Sequence, residues 1–443
     1  MSETPKRPLG AQLSHALRAR GVDTIFGIPG VHNQELYRGI EEAGITHVLA
    51  RHEQGAGFMA DGYARATGRP GVCYVITGPG LTNALTPLGQ AYSDSVPVLC
   101  IASCLDDVAA TRGQLHQMRD QAGAARAVCD WSETALSAGA AYALIDRAFM
   151  EFATSRPRPK AIHVPIGVLE ADALPAPPAR AVERRATLAD GRAIAEVRRL
   201  LERAHKPLFI FGGGVRDAGL VSRVLEETEA ASFTTYAGRG LVAKGAPLHF
   251  GAFLARPSSA DILAQADLIV AVGTELSEGD LWRDALGHGG TLVRVDTAPE
   301  VLADRHRADV QLLHDGDTFL AALGDTERAA SAWDAARVRE MRQIWRAEVD
   351  AERPGILRVA DALRAALPPA TMIYSDMTQF AYSAKEVWEM DRPGHWHHPT
   401  GFGTLGYALP AAIGGTVARR GLPTMAIAGD YGFQYTLQEL GAA

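Results

Sequence analysis

A glutamate set just beyond an apolar run and followed by glycines could place a carboxylate at a ligand site. Arg51-His52-Glu53-Gln54-Gly55-Ala56-Gly57 is such a segment. A strand end that opens into a helix is where α/β sheets bind ligands, although an acidic first turn also suits the helix dipole by itself. Two more turns share the pattern: Phe26-Gly27-Ile28-Pro29-Gly30 and Thr77-Gly78-Pro79-Gly80-Leu81-Thr82-Asn83. Glycine and proline at such turns let backbone come close to a ligand. Each turn alone is ordinary turn chemistry, but three at successive strand ends on one sheet edge describe a cleft. Farther on, Gly401-Phe402-Gly403-Thr404-Leu405-Gly406 runs into an apolar helix, and Gly429-Asp430-Tyr431-Gly432 follows the next strand. An aspartate so flanked reads either as an Asx-type turn or as a magnesium ligand beside a phosphate-bearing cofactor.

The elements that must position these residues alternate. Short β-branched runs predict strands at Thr24–Phe26, His47–Ala50, Val72–Ile76, Val96–Ala102 and Ala161–Val164, with helical stretches at Gln54–Thr67 and Leu81–Tyr92. Asp172–Arg180 breaks every periodicity and reads as a linker. A second alternation has helix Asp190–Ala204 and strands Pro207–Phe211, Asp267–Val272 and Thr291–Val295. A charged helical stretch, Thr326–Glu352, leads to a third: helix Leu357–Leu367, strand Met372–Ser375, helix Tyr407–Ala418 and strand Thr424–Ala428. The expected fold class is α/β, with three doubly wound parallel-sheet units of which the last is incomplete. Domains are expected at 1–172, 187–325 and 354–443.

Composition narrows the function classes. The 443 residues suit about three domains. Acidic residues exceed basic ones by seven, which argues against a nucleic-acid partner. No apolar run reaches membrane-spanning length, and four cysteines cannot be a disulfide framework, so a cytoplasmic location is expected.

Taken together and in order, the Arg-His-Glu-Gln helix start, the Gly-Pro-Gly turn and the Gly-Asp turn resemble the thiamine diphosphate-dependent enzymes of the acetolactate synthase and 2-oxo acid decarboxylase family. The resemblance covers residues 9 to 443. It implies a pyrimidine-binding first domain, a Rossmann-like middle domain and a third domain binding diphosphate through Mg2+. Glu53 matches the family's glutamate, which hydrogen-bonds a pyrimidine nitrogen so that the cofactor's thiazolium carbon can lose its proton. Pro29, Gly30, Thr77, Gly80 and Asn83 match the pyrimidine side. Thr378, Gln379, Gly403 and Thr404 match the thiazolium side, with Leu405 beneath the folded cofactor. Gly429, Asp430 and Tyr431 match the diphosphate turn, Asp430 as a magnesium ligand. In the family the two sides come from different subunits, so a homo-oligomer with active sites at the dimer interface, a dimer or a tetramer, is implied. The implied substrate is a small 2-oxo acid.

There are departures. Tyr431 replaces the last glycine of the family's Gly-Asp-Gly. Thirteen residues follow Asp430, too few for the family's second magnesium ligand, so a chain cut short is expected. His116 falls where acetolactate synthases carry a glutamine facing the active site, and a histidine there could contact a carboxylate or relay protons. That histidine and Gly-Asp-Tyr-Gly-Phe-Gln-Tyr look like the branch containing 5-guanidino-2-oxopentanoate decarboxylases. The motifs leave both decarboxylation and carboligation of two pyruvates open. Flavin (FAD) in the middle domain is not favoured, because Asp217 stands where the last glycine of a dinucleotide fingerprint belongs. That failure also weighs against a nucleotide-dependent oxidoreductase, whereas a non-catalytic remnant is kept open by the short end. His395-Trp396-His397-His398 is expected to be a loop at the cleft mouth, and Cys100 and Cys104 core residues.

Overall fold

The computed structural model describes residues 6–107, 113–179, 191–324 and 331–443. The first sheet has six strands: β1 (Thr24–Gly27), β2 (Thr46–Leu49), β3 (Gly71–Val75), β4 (Val98–Cys104), β5 (Trp131–Thr134) and β6 (Lys160–Pro165). Their order is β2-β1-β3-β4-β6-β5, and every pair is parallel. Central β3 and β4 are buried along their whole length, as a sheet covered on both faces requires. Helices α1 (Glu53–Thr67) and α2 (Pro79–Ser93) follow β2 and β3. α1 ends at Gly68, whose φ of 68° is the left-handed stop that glycine takes without strain.

The second sheet repeats the arrangement. It contains β7 (Pro207–Phe211), β8 (Ala231–Thr234), β9 (His249–Gly251), β10 (Leu268–Val272), β11 (Thr291–Asp296) and β12 (Val310–Leu313), in the parallel order β9-β8-β7-β10-β11-β12. Helix α3 (Ala335–Glu352) lays Val338, Met341, Trp345 and Val349 into this domain's core at helical spacing. Helix α4 spans Gln379–Val387. In the small third sheet β13 (Met372–Ser375) neighbours β14 (Thr424–Ile427); helix α5 (Ala408–Ala418) precedes β14 and α6 (Asp430–Thr436) follows it.

Met1–Arg184, Ile373–Met377 and His398–Ala443 form one compact unit; Arg185–Met372 and Thr378–His397 form another. Within the first, α1 and α5 cross at glycine contacts. A Cβ on Gly62 would lie 2.0 Å from the Ala411 carbonyl oxygen, and one on Gly414 would lie 2.0 Å from that of Met59. Tyr407 Oη hydrogen-bonds buried Asp61 at 3.0 Å in the same crossing, and Asp61 is also paired with Arg65. Among the described residues no helix is long and apolar enough to cross a membrane.

Several expectations are corrected. The segment expected to be linker from Asp172 begins as a two-residue strand, Asp172–Ala173, paired antiparallel with Arg7–Pro8; Arg180 lies outside the described residues. The helix expected from Thr326 starts at Ala335, with Asp334 as its cap, and residues 326–330 lie outside the described residues. The expected His395–His398 loop contains strand Trp396–His397, and Trp396 is buried edge-on against Trp388 at 5.2 Å. Apolar aromatic area draws this segment inward despite its three histidines. All four cysteines are buried and free.

Candidate active site

The site begins at Glu53, the first residue of α1. Its neighbour His52 caps the helix, with Nδ1 accepting the Gln54 N–H at 3.1 Å, and this leaves the Glu53 carboxyl free of capping duty. Glu53 Oε2 accepts from Asn83 Nδ2 at 2.9 Å, which brings together two residues thirty positions apart. Gly80 lies beside them: a Cβ there would sit 3.3 Å from Glu53 Oε1 and 2.6 Å from the Ile76 side chain. Gly30 faces the same isoleucine, where a Cβ would come within 2.4 Å of Ile76 Cδ1. The two glycines therefore admit Ile76 between the β1 and β3 turns, and neither tolerates a side chain. Pro29 is exposed at the tip, and Gly30 N–H donates to Asn33 Oδ1 at 2.7 Å.

The Gly-Pro-Gly turn is fixed from below by a buried polar chain that spacing along the sequence did not reveal. Thr77 is bonded through both N–H and Oγ1 to Ser103 Oγ, at 3.0 and 2.9 Å. Gly78 N–H donates to Gln121 Oε1 at 3.0 Å; Gln121 Nε2 reaches the Ser103 carbonyl at 2.8 Å and His163 Nδ1 at 3.1 Å. His163 Nε2 meets Ser132 Oγ at 2.7 Å. Burial pushes the His163 imidazole down to about 4, so it is a neutral relay of hydrogen bonds at ordinary pH. Gly78 has φ 65°, a conformation that glycine permits before Pro79 at the helix start.

His116 is held against this turn with φ 63°; a Cβ on Gly78 would fall 2.5 Å from its carbonyl oxygen. Its ring stands edge-on to that of His32, centroids 5.0 Å apart, and Nδ1 of each is buried without a hydrogen-bond partner among the described residues. His32 is lowered from its ordinary value, by burial first and by the neighbouring His116 second. Its sequence signal was its place two residues after the Pro29-Gly30 turn.

A second cluster in the same unit gathers the third-domain residues. Asp376, just past β13, is the residue that sequence reasoning missed. Its carboxylate accepts from the N–H groups of Tyr407 (2.8 Å), Ala408 (2.9 Å) and Gly406 (3.3 Å), and so caps α5. Burial raises its pKa while those bonds lower it, with a net rise. Gly406, with φ 81°, and Gly432 close over it: a Cβ on Gly432 would be 2.3 Å from Asp376 Oδ2. Gly403 also takes a positive φ, 67°, and Thr404 and Leu405 are half-buried between these glycines. Asp430 is the exposed first residue of α6 after Gly429, and Tyr431 is 70% exposed. Asp430 therefore stands at a helix start and not in an isolated Asx turn. No hydrogen bond or ion pair joins Glu53 to Gly403, Thr404, Leu405 or Asp430 among the described residues. Thr378 and Gln379 belong to the other unit, where Thr378 Oγ1 caps α4 by accepting the Ala381 N–H at 3.0 Å.

The donor set suits thiamine diphosphate on the pyrimidine side. One glutamate oxygen is held by Asn83, the other faces a glycine, and two more glycines open the turn. On the diphosphate side no group of three or more metal-ligating side chains forms among the described residues. Asp376 is occupied by backbone donors. Asp430 alone fits Mg2+ only because that ion commonly takes one or two carboxylates and completes its shell with phosphate and water. In the middle domain Asp217 Oδ1 accepts the Gly219 and Leu220 N–H groups at 2.8 and 3.2 Å, which explains why a carboxylate replaces the fingerprint glycine.

Comparison with known proteins agrees with the geometry. Residues 7–124 match the N-terminal TPP binding domain of thiamine pyrophosphate enzymes, 194–323 their central domain, and 376–443 their C-terminal TPP binding domain. A probable 2-ketoarginine decarboxylase of Pseudomonas aeruginosa, AruI, is 44% identical over 98% of this chain and 79% of its own length. The acetolactate synthase isozyme 2 large subunit of Escherichia coli is 31% identical over 98% of this chain and 80% of its own. An acetolactate synthase of Arthrospira platensis shows the same identity and coverage.

Proposed function

Because this chain belongs to the thiamine pyrophosphate enzyme family, a thiamine diphosphate-dependent enzyme acting on 2-oxo acids, we propose that its substrate is 5-guanidino-2-oxopentanoate (2-ketoarginine) and its reaction decarboxylation to the aldehyde. The observation that carries the substrate is the step in identity from 44% with a probable 2-ketoarginine decarboxylase to 31% with acetolactate synthases over equal coverage. The paired histidines His32 and His116 at the Gly-Pro-Gly turn support protonation over carboligation.

When bound, thiamine diphosphate supplies the nucleophilic carbon and the electron sink that decarboxylation needs. Glu53 is the proton-handling carboxyl: Asn83 engages Oε2, and Oε1 is left to bond the pyrimidine ring. Thr77, Gly80, Pro29 and Gly30 form the wall for that ring. His32 is lowered by burial first and by His116 second, which favours its neutral, proton-exchanging form. An imidazole of this pair would supply the proton to the carbon that loses carbon dioxide. Gly403, Thr404 and Leu405 are assigned to the thiazolium side; Thr378 and Gln379 keep that assignment from the family resemblance alone. Gly429, Asp430 and Tyr431 would hold the diphosphate, with Asp430 as a ligand to Mg2+. The reading includes a pyrimidine-binding domain at 1–172, a middle domain at 187–325 and a diphosphate domain at 354–443. It also includes a homo-oligomer in which facing subunits complete each site.

The test is carbon dioxide release from 5-guanidino-2-oxopentanoate and from pyruvate by protein supplied with thiamine diphosphate and Mg2+. Release from the guanidino acid with formation of the aldehyde is expected. Turnover of pyruvate to acetolactate, with none of the guanidino acid, would replace the substrate and leave the cofactor assignment standing.

A further inference from the structure

The second unit contains a cavity of about 290 Å³ that the chemistry above does not use. It lies beside edge strand β9, between the loop that follows β8, helix α3 and the end of α4 with the residues after it, Glu386–Met390. Phe253, Trp388 and Met390 give it an apolar wall, and its charged lining is mostly basic: Arg239, Lys244, Arg339, Arg342 and Arg346 against Glu386 and Glu389.

The carboxylates are already engaged. Glu386 is bonded by Arg256 at 2.6 Å, and Glu389 is paired with Arg342. Arg346 is paired with Asp361 at 2.5 Å. Arg239 has no such partner. It is 5% exposed, its Nε donates to the Tyr236 carbonyl at 2.9 Å, and its guanidinium lies 4.6 Å from the Trp396 ring centroid. Nη1 is buried with no hydrogen-bond partner among the described residues. A buried cationic donor left unmatched is costly, and a guanidinium fork is shaped to receive an oxyanion. The arginine is also held in place. The next residue, Gly240, adopts φ 88° and packs so closely that a Cβ would come within 2.3 Å of the Arg392 backbone. Burial lowers the Arg239 pKa to about 9, which leaves it charged at neutral pH. Lys244 and Arg339 are exposed and make no ion pair among the described residues, so they supply attraction from solvent. His249, pushed down to about 3 by burial, adds no charge.

We infer that this cavity binds a small molecule bearing a terminal oxyanion, a carboxylate or a phosphate, with Arg239 as its buried anchor and Lys244 and Arg339 as its electrostatic mouth. The inference concerns the second compact unit alone and does not depend on the substrate proposed above.

The probes are succinate and inorganic phosphate, titrated separately by calorimetry into protein saturated with thiamine diphosphate and Mg2+. Saturable binding of at least one is expected, about tenfold or more weaker in R239M, measurably weaker in the K244A/R339A double variant, and falling with salt. Binding of succinate alone identifies a carboxylate ligand, and binding of phosphate alone a phosphorylated one. Should R239M fail to fold, the double variant decides, since both its positions are exposed. Absence of saturable binding for both probes, or binding undiminished by these substitutions, overturns the inference.

Discussion

The two oxygens of the Glu53 carboxyl meet different surroundings, Asn83 Nδ2 at one and the Gly80 backbone at the other, and that asymmetry suits a group that exchanges a proton on one side only. His116 is placed with equal care: a residue with φ 63° pays strain unless its surroundings hold it, and here the Gly78 turn does so. If His116 directs the outcome toward protonation, His116→Gln should lower aldehyde formation by about 100-fold, the low end for loss of a positioned acid. With pyruvate added, a rising share of carboligation product is expected. Product analysis by chromatography checks this, and an unchanged product ratio at unchanged rate removes the histidine from the mechanism.

Helix contacts set what the residues can do. The crossing of α1 with α5 carries Glu53 at one end and the Gly401–Gly406 turn at the other, and it depends on Gly62 and Gly414. Gly62→Ala places a methyl group 2.0 Å from the Ala411 carbonyl oxygen, and a loss of about 3 kcal/mol or more is expected, the scale of overpacking in a tight core. Gly68→Ala, in open space at φ 68°, should cost only about 1 kcal/mol. Equal losses in urea titrations of the two variants would contradict the packing account. The buried relay under the Gly-Pro-Gly turn has its own signature. His163 titrates near 4 when folded and near its ordinary 6.5 when unfolded. Between those values the unfolded chain binds more protons, so this group's effect is to let stability fall as pH drops from about 6.5 to about 4. Relative to His163→Gln, the wild type should lose on the order of 3 kcal/mol across that window. A pH-independent difference between them would refute the neutral relay. Much of this was legible beforehand: β3, β4, β7 and β10 are continuous apolar runs, and Glu53, Gly80 and Asn83 stand near the starts of the helices that follow β2 and β3. Strands β5, β8, β9 and β12 were not predicted. All four are only three or four residues long and lie at or next to a sheet edge, too short to display a period, and in β12 half-buried Val310 is followed by exposed Gln311. Asp376 escaped because a Ser-Asp pair after a strand reads as any turn, and its partners lie 30 to 32 residues on. The Thr77–Ser103–Gln121–His163 chain escaped because its members share no local pattern.

At the scale of the whole molecule, Glu53 and Asp430 are not joined to each other by a hydrogen bond or ion pair among the described residues, and the proposed homo-oligomer would have facing subunits complete each site. Such an arrangement predicts complementation. Co-expressed Glu53→Gln and Asp430→Ala chains, each inactive alone, should regain about a quarter of wild-type activity through mixed dimers that hold one intact site. No recovery in verified mixed dimers would place each site within a single subunit. The most direct test of the central claim is the rate of carbon dioxide release from 5-guanidino-2-oxopentanoate, measured with and without thiamine diphosphate for the wild type and for Glu53→Gln. The account predicts release that requires the cofactor and falls about 100-fold or more in the variant, with an unaltered far-ultraviolet circular dichroism spectrum. Release that persists without the cofactor, or near-normal release by Glu53→Gln, would contradict it.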